Sequence, residues 1–277
     1  MTDTDAAPRH RRRWVWVLAA AVVAGVSVPP ATYLLIRWQG ERELAAVRAE
    51  LDAADPNWRM PDLFAARNAR LAKLEVNSAD TAAAVYDRLP EGWEKPPADG
   101  EEPLWPFDGP PNRLPTMTQA DLTRRTFEAV KAAAEQARTL RDQPAGGTAL
   151  VVPNYSTYML DLSLADTQKR RHVARLLAVD AAVAALDTDP ATAVQAVHAG
   201  LNAARSVSDE PTYISQLVRA ACDQVAVRSA ERVLGLCEPD AGLVELQAAL
   251  LGEAADRTMT AGMQGELASF EIGRAHV

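Results

Sequence analysis

The most constraining feature of the chain is a run of 23 residues without a formal charge, from Trp14 to Ile36. A helix needs about 20 apolar residues to cross the hydrocarbon core of a bilayer. Aromatic rings stand at both ends of the run, with Trp16 near its start and Tyr33 and Trp38 near its end, the levels at which lipid headgroups lie. The run therefore predicts one transmembrane helix that binds the lipid bilayer.

The charges on the two sides of this segment differ. Four arginines lie within the five residues before it, at positions 9–13, whereas residues 37–43 mix both signs. Basic residues are retained on the cytoplasmic side of a membrane helix. We therefore expect residues 1–13 to be a basic cytoplasmic tail. The chain after residue 38 is expected to lie in the periplasm or another extracytoplasmic space, which makes this a single-pass protein of the bacterial inner membrane.

Two adjacent prolines, Pro29 and Pro30, interrupt the apolar run. Because they remove backbone donors and crowd the preceding turn, they predict a kink or a break in the helix. Trp14–Val28 alone is 15 residues, the length of the apolar part of a signal peptide. The small-residue cleavage site that a signal peptide requires is poor here, so a retained anchor over 14–36 is favoured, and a cleaved signal is the alternative.

The remaining chain is acidic and has the composition of a globular domain. Residues 39–277 carry 24 basic and 35 acidic groups, a net charge of −11, and 48% of the whole chain is hydrophobic. An acidic domain gives no general attraction for nucleic acid, so we expect no nucleic-acid partner. The anionic bilayer surface repels an acidic domain, which favours a domain surrounded by water over one that binds the membrane surface.

Residues 39–89 predict membrane-proximal helices. A juxtamembrane helix over 39–55 should end before Pro56, because the residue preceding a proline avoids the helical region. Pro61 is expected in the first turn of the next helix, which runs through Leu71 and Leu74. Asn77 is expected to cap a third helix that reaches Leu89.

Residues 90–117 predict a long, irregular, proline-rich loop, since positions 90–115 contain eight prolines. Three aromatic residues lie within it: Trp93, Trp105 and Phe107. They could form a stacking platform for a sugar or a peptide. We favour the alternative that they pin the loop onto the helices, because large apolar rings bury where they can.

Residues 118–270 predict a domain of helical hairpins. Thr118 is expected to cap a helix that ends near Asp142, and turns recur at Asp189-Pro190, Glu210-Pro211 and Glu238-Pro239. No long segment alternates with period two, so the fold class is all-α, a helical bundle without a sheet. The hairpin at Asp189 is similar to a tetratricopeptide (TPR-like) unit, although the 34-residue period does not repeat cleanly.

The sequence offers few residues for chemistry. Cys222 and Cys237 lie on one predicted helix about 22 Å apart, too far for a disulfide, and are expected to be small core residues. Only His172 and His198 lie within the helical domain. There is no metal-binding, phosphate-binding or nucleophile motif, so we expect no metal, no cofactor and no catalytic residue.

One concentrated polar set lies along the last hairpins; it consists of Arg205, Asp209, Glu210, Arg219 and Glu231-Arg232. In the functional interpretation Glu210 is an acid or base and Arg219 binds an anion. In the structural interpretation, which we favour, Asp209 and Glu210 cap the helix that starts at Pro211 while the arginines brace neighbouring helices.

Several segments carry a resemblance to a known family; they are Leu51-Asp52, Asp55-Pro56, Trp58-Arg59, Asn77-Ser78-Ala79, Ala174–Leu177, Leu201–Ser206, Asp209-Glu210-Pro211, Ile214–Arg219 and Glu231–Leu234. With these segments the chain resembles a family of uncharacterised single-pass membrane proteins from planctomycete bacteria, over most of residues 40–268. The resemblance implies an anchored, all-helical extracytoplasmic domain. It implies no activity.

The last seven residues, 271–277, are an unusual tail. Glu-Ile-Gly-Arg-Ala-His-Val is the translation of GAG ATC GGA AGA GCA CAC GTC, which from its second base is the start of a common short-read sequencing adapter. Members of the planctomycete family continue well past a motif like Gln264-Gly265-Glu266. We therefore expect the tail to be non-native and the natural protein to be longer than this truncated chain.

These observations favour a membrane-anchored extracytoplasmic module for protein interaction or envelope scaffolding, with a protein partner on the helical hairpins. This expectation is based on the predicted fold and not on a recognised site. The alternative is a hydrolase-type enzyme whose active site lies partly in a missing C-terminal region.

Overall fold

The computed structural model of the chain describes residues 9–94, 110, 113–150, 164–239, 241–255 and 258–275. All regular elements within these ranges are helical, which confirms the predicted all-α class. The chain divides into two compact units, residues 1–57 and 58–277. The helices are α1 (Arg9–Ala54), α2 (Met60–Leu71), α3 (Ser78–Tyr86), α4 (Met117–Glu128), α5 (Lys131–Ala137), a 3₁₀ helix (Arg138–Asp142), α6 (Leu164–Leu186), α7 (Pro190–Arg205), α8 (Tyr213–Leu236), α9 (Leu243–Ala255) and α10 (Thr258–Ala275).

The first unit is essentially one helix, α1. Within the described residues it is the one helix long and apolar enough to cross a membrane. Its apolar side chains are exposed on all sides, with Val22, Val26 and Leu34 exposed by 61%, 70% and 62%. A helix surface that is apolar all round suits hydrocarbon better than water.

The prediction of a break at Pro29-Pro30 is wrong, because α1 runs continuously through both prolines. The Thr32 hydroxyl donates to the Val28 carbonyl at 2.8 Å, within the same turn. Threonine hydroxyls of this kind help to satisfy backbone groups around a proline in an apolar helix. The predicted juxtamembrane helix is therefore the end of α1, which stops at Ala54, before Pro56 as predicted.

The two short helices that begin the second unit have the predicted starts. Pro61 lies in the first turn of α2, and the Asn77 side chain accepts a hydrogen bond from the Ala79 amide at 3.1 Å at the start of α3. Both helices end one turn earlier than predicted. Leu74 and Leu89 lie beyond the ends, where their amides bond the carbonyl three residues back rather than four, the tightening typical of a last turn.

The helix expected from Thr118 to Asp142 is three consecutive pieces, α4, α5 and the 3₁₀ helix. Its cap is Thr116 and not Thr118. The Thr116 hydroxyl accepts from the Gln119 amide, and the Gln119 side chain accepts from the Thr116 amide, both at 3.1 Å. This reciprocal pair of hydrogen bonds is a capping box. It starts the helix at Met117, so that Thr118 lies within the helix.

Of the aromatic residues in the proline-rich loop, Trp93 is described. It is half-buried and packs against the apolar core, which agrees with the pinning interpretation for this residue. Trp105 and Phe107 lie outside the described residues.

The core lies where α6, α7 and α8 pack against one another, with α3, α5 and the 3₁₀ helix on their outer side. Small side chains permit close packing: Gly200 of α7 lies against Ala226 of α8 and Leu177 of α6. The corner between α6 and α7 has the predicted chemistry, since the Asp189 side chain caps α7 by accepting from the Thr192 amide at 3.1 Å. The likeness to a tetratricopeptide unit stays a prediction.

Candidate functional site

The corner between α7 and α8 differs from its prediction. Thr212 caps α8, since its hydroxyl accepts from the Ser215 amide at 3.2 Å. The interpretation of Asp209 and Glu210 as caps is therefore wrong. Pro211 precedes the cap and lies outside the helix, so the helix begins at Tyr213 and both carboxylates are directed elsewhere.

Glu210 belongs to a buried ion cluster. It is 1% exposed, and its Oε1 lies 3.3 Å from Nη1 of Arg170 and 3.8 Å from Nη2 of Arg67. Both arginines are as buried as the carboxylate. Buried charges are tolerated only when they are paired and hydrogen-bonded. Burial lowers the pKa of the Arg67 guanidinium, and the charges of Glu210 and Asp209 oppose that shift.

Asp209 lies between Arg67 and Arg70, two arginines on successive turns of α2. Its Oδ1 is 3.4 Å from Nε of Arg67, and its Oδ2 accepts a hydrogen bond from Arg70. Burial alone would raise the pKa of Asp209, but hydrogen bonds from Arg70 and Ser208 and the charges of both arginines outweigh it. The pKa therefore lies below its ordinary value, and Asp209 is ionised at neutral pH.

Glu253 of α9 forms a second group of the same kind with Arg205 and Arg219. Its Oε2 lies 2.9 Å from Nη2 of Arg219, and its Oε1 accepts a hydrogen bond from Nε of Arg205. Each oxygen of one carboxylate thus binds a different arginine. Arg205 is held further by the Ala249 carbonyl at 2.9 Å and the Asn202 side chain at 3.0 Å.

Asp209 and Glu253, each with its two arginines, line one cleft of about 480 Å³, which we call the arginine cleft. Among the described residues, its charged lining is Arg67, Arg70, Arg205, Arg219, Asp209 and Glu253. Four guanidinium groups of this described lining face two carboxylates, an excess of two positive charges in a chain of net charge −8. A cleft whose lining carries a net positive charge raises the local concentration of anions.

An apolar wall borders the same cleft; it consists of Leu71, Leu74, Pro144 and Ala145. The segment after Ala145 is tied to α2 and α3. The Asn77 side chain donates to the Gly147 carbonyl at 3.0 Å and accepts from its amide at 2.9 Å. Gly146 has no room for a Cβ atom, which would overlap the Ser78 hydroxyl and lie 2.8 Å from the backbone nitrogen of Ala79. These contacts fix the apolar wall in place.

The predicted polar set is only partly brought together. Arg205, Asp209 and Arg219 line the arginine cleft, whereas Glu210 does not. Glu231 and Arg232 lie elsewhere on α8, where Arg232 is buried and donates to the Arg113 carbonyl at 2.8 Å.

Sequence reasoning missed four residues of the site and its support: Arg67, Arg70, Arg170 and Glu253. Arg67 and Arg70 are spaced three apart on one helix, which is typical of any solvated face. No sequence signal distinguishes them.

The functional interpretation of Glu210 with Arg219 needs both groups in one groove. The carboxylate bound to Arg219 is Glu253, and Glu210 is enclosed by Arg67 and Arg170. Glu210 is 1% exposed and does not line the cleft, whereas an acid or base must come within hydrogen-bond reach of the reacting group. The geometry gives no support to acid–base chemistry at Glu210.

The other candidates for chemistry lie away from the cleft. Cys222 is buried in the core as expected, and burial raises the pKa of its thiol to about 12, whereas Cys237 is half-buried at the end of α8. Nδ1 of His172 lies 2.7 Å from Oε1 of Glu94. Burial lowers the pKa of His198. Within the described residues, no three His, Cys, Asp or Glu side chains cluster closely enough to hold a metal ion.

No family model matches the chain, and no curated protein or solved structure matches it either. Over the described residues, the fold and the site define an all-helical domain with an N-terminal helix of membrane-spanning length and a cationic cleft. Its likeness to the planctomycete family stays a prediction.

Proposed function

We propose that the chain is a membrane-anchored, extracytoplasmic interaction module that holds an acidic segment of a partner protein in the arginine cleft. The single observation that carries this proposal is the excess of guanidinium groups over carboxylates in the cleft lining. The anchor over 14–36 and the arginines before it favour a cytoplasmic N-terminus and an outward-facing helical domain.

Arginine suits the recognition of acidic groups. Its planar guanidinium donates two parallel hydrogen bonds to a carboxylate and keeps its charge under all physiological conditions. Arg70 is the guanidinium most open to a partner, since its side chain is 64% exposed, whereas that of Arg219 is 6% exposed. Arg70 would make the first contact, and the deeper arginines would fix the acidic group.

The apolar wall supports a peptide as the ligand rather than a bare ion. Leu71, Leu74 and Pro144 stand beside the charged groups in the same cleft. Binding clefts commonly combine apolar lining with a few placed polar groups that set orientation. A segment with acidic residues next to an apolar residue would use both parts of the lining.

The test uses the full chain in non-ionic detergent micelles and a fluorescein-labelled peptide of six glutamates followed by leucine. Anisotropy titration should give saturable binding that weakens as salt rises, because ion pairs near the surface are screened. A peptide with serine in place of each glutamate should not bind.

Arg70→Gln should weaken binding of the glutamate peptide by about tenfold, since one charge-assisted contact is lost. Arg124→Gln is the matched control, because Arg124 is a partly exposed arginine that bonds Asp187 at 2.6 Å away from the cleft. The proposal fails if the two variants bind the peptide equally well, or if the serine peptide binds as tightly as the glutamate peptide.

A further inference from the structure

Glu253 occupies two arginines of the cleft, Arg205 and Arg219, with a carboxylate of the chain itself. Both of its oxygens are engaged, one by Arg205 and one by Arg219, and its side chain is 13% exposed. This is the arrangement that an acidic ligand would need. Without Glu253, the part of the cleft lining that the structure describes would have one carboxylate, Asp209, against four guanidinium groups.

The helix that carries Glu253 has a small apolar contact with the core. Of the 13 residues of α9, only Leu246 is buried and Ala249 and Leu250 are half-buried against the core, while Val244 and Leu251 are 77% and 63% exposed. Helices with few buried apolar residues open at low free energy compared with core helices.

The two ends of α9 are held in different ways. At the first end, Gly242 has φ +80 and approaches Val194 of α7, and Leu246 follows in the core. Glycine adopts this backbone conformation without strain. At the second end, Ala249 and Leu250 are half-buried against the core, and Arg205 adds hydrogen bonds to the Ala249 carbonyl and the Glu253 carboxylate. The next helix, α10, packs against α8 and α2.

We propose that Glu253 is an internal competitor for the ligand, and that its carboxylate leaves Arg205 and Arg219 when an acidic group takes its place there. This inference rests on the proposed function. It adds that the ligand's acidic group is a carboxylate-like oxyanion that reaches both arginines, and that binding removes the hydrogen bonds that the last turn of α9 makes through Glu253.

Glu253→Gln in the full chain tests the competition, with the six-glutamate peptide as the probe. Glutamine keeps the shape but loses the charge, so the variant should bind the peptide about tenfold more tightly than the wild type. Asp187→Asn is the matched control, because Asp187 pairs with Arg124 outside the cleft, and its affinity should equal that of the wild type.

Hydrogen exchange gives a second readout that does not depend on a variant. Peptide binding to the wild type should accelerate exchange of the amides at 249–255 and leave those near Leu246 unchanged. A ligand that merely packed onto the cleft would slow exchange at 249–255.

The outcomes separate the two proposals. If the wild type binds the peptide but Glu253→Gln binds it equally or more weakly, or if exchange at 249–255 slows, the competition is refuted and the proposed function stands. If neither protein binds the peptide, both proposals are refuted.

Discussion

Replacing Glu210 by glutamine removes the carboxylate at the centre of the buried cluster. Glu210 lies within 3.3 Å of Arg170 and 3.8 Å of Arg67, and all three side chains are at most 3% exposed. The substitution leaves two guanidinium groups buried beside each other with less negative charge to offset them. Breaking a buried ion pair from one side costs about 3–5 kcal/mol.

A loss of that size should be plain in thermal unfolding. For a domain of this size each kcal/mol shifts Tm by about 2–4 °C, so Glu210→Gln should lower Tm by roughly 6–20 °C. The assay is circular dichroism at 222 nm on the full chain in detergent. Glu231→Gln is the control, because Glu231 is an exposed glutamate on α8 and its loss should cost less than about 0.5 kcal/mol.

A double-mutant cycle tests whether the lost ion pair with Arg170 causes this destabilisation. Glu210→Gln combined with Arg170→Gln should be less destabilising than the sum of the two single changes, since the second change removes a charge that the first left unpaired. Strictly additive losses, or a Glu210→Gln variant as stable as Glu231→Gln, would refute the pairing argument.

Three further predictions concern other parts of the molecule. Thr212→Ala should destabilise the domain by about 0.5–2 kcal/mol because α8 loses its cap, as measured by urea unfolding; an unchanged midpoint would contradict the cap assignment. Burial raises the pKa of Asp180 to about 6, although Arg138 lies 3.1 Å away. The folded state therefore holds this proton between the unfolded pKa of 3.8 and about 6, and the stability of the wild type relative to Asp180→Asn should fall by about 1–3 kcal/mol from pH 4 to pH 7; a difference that stays constant or grows with pH would refute the assignment. Alkaline phosphatase fused after residue 150 should be active in an intact bacterial host, and an inactive fusion beside an active cytoplasmic reporter would exclude a cytoplasmic N-terminus.

Local signals in the sequence predicted much of the fold. The caps Asn77 and Asp189 and the helix end before Pro56 depend on residues within one turn of each other, so their chemistry is readable from the sequence. The cap of α8 was mispredicted because Asp209, Glu210 and Thr212 all have suitable side chains. The choice among them depends on arginines elsewhere in the chain.

The arginine cleft could not be predicted for the same reason. Arg70 and Asp209 are 139 residues apart, and Glu253 is 48 residues from Arg205. Helical periodicity shows which face of a helix is polar, but it does not show which polar faces meet. That depends on tertiary packing: the arginines of α2 bond the corner between α7 and α8, and α9 packs against α7.

Photo-crosslinking tests the central claim most directly. The six-glutamate peptide would carry a diazirine in place of its leucine, and the adducts on the full chain would be mapped by mass spectrometry. We expect adducts on the apolar wall, at Leu71, Leu74 and Pro144, and their loss in Arg70→Gln but not in Arg124→Gln. Adducts spread over the exposed surface of α8, or unchanged labelling in Arg70→Gln, would contradict the account.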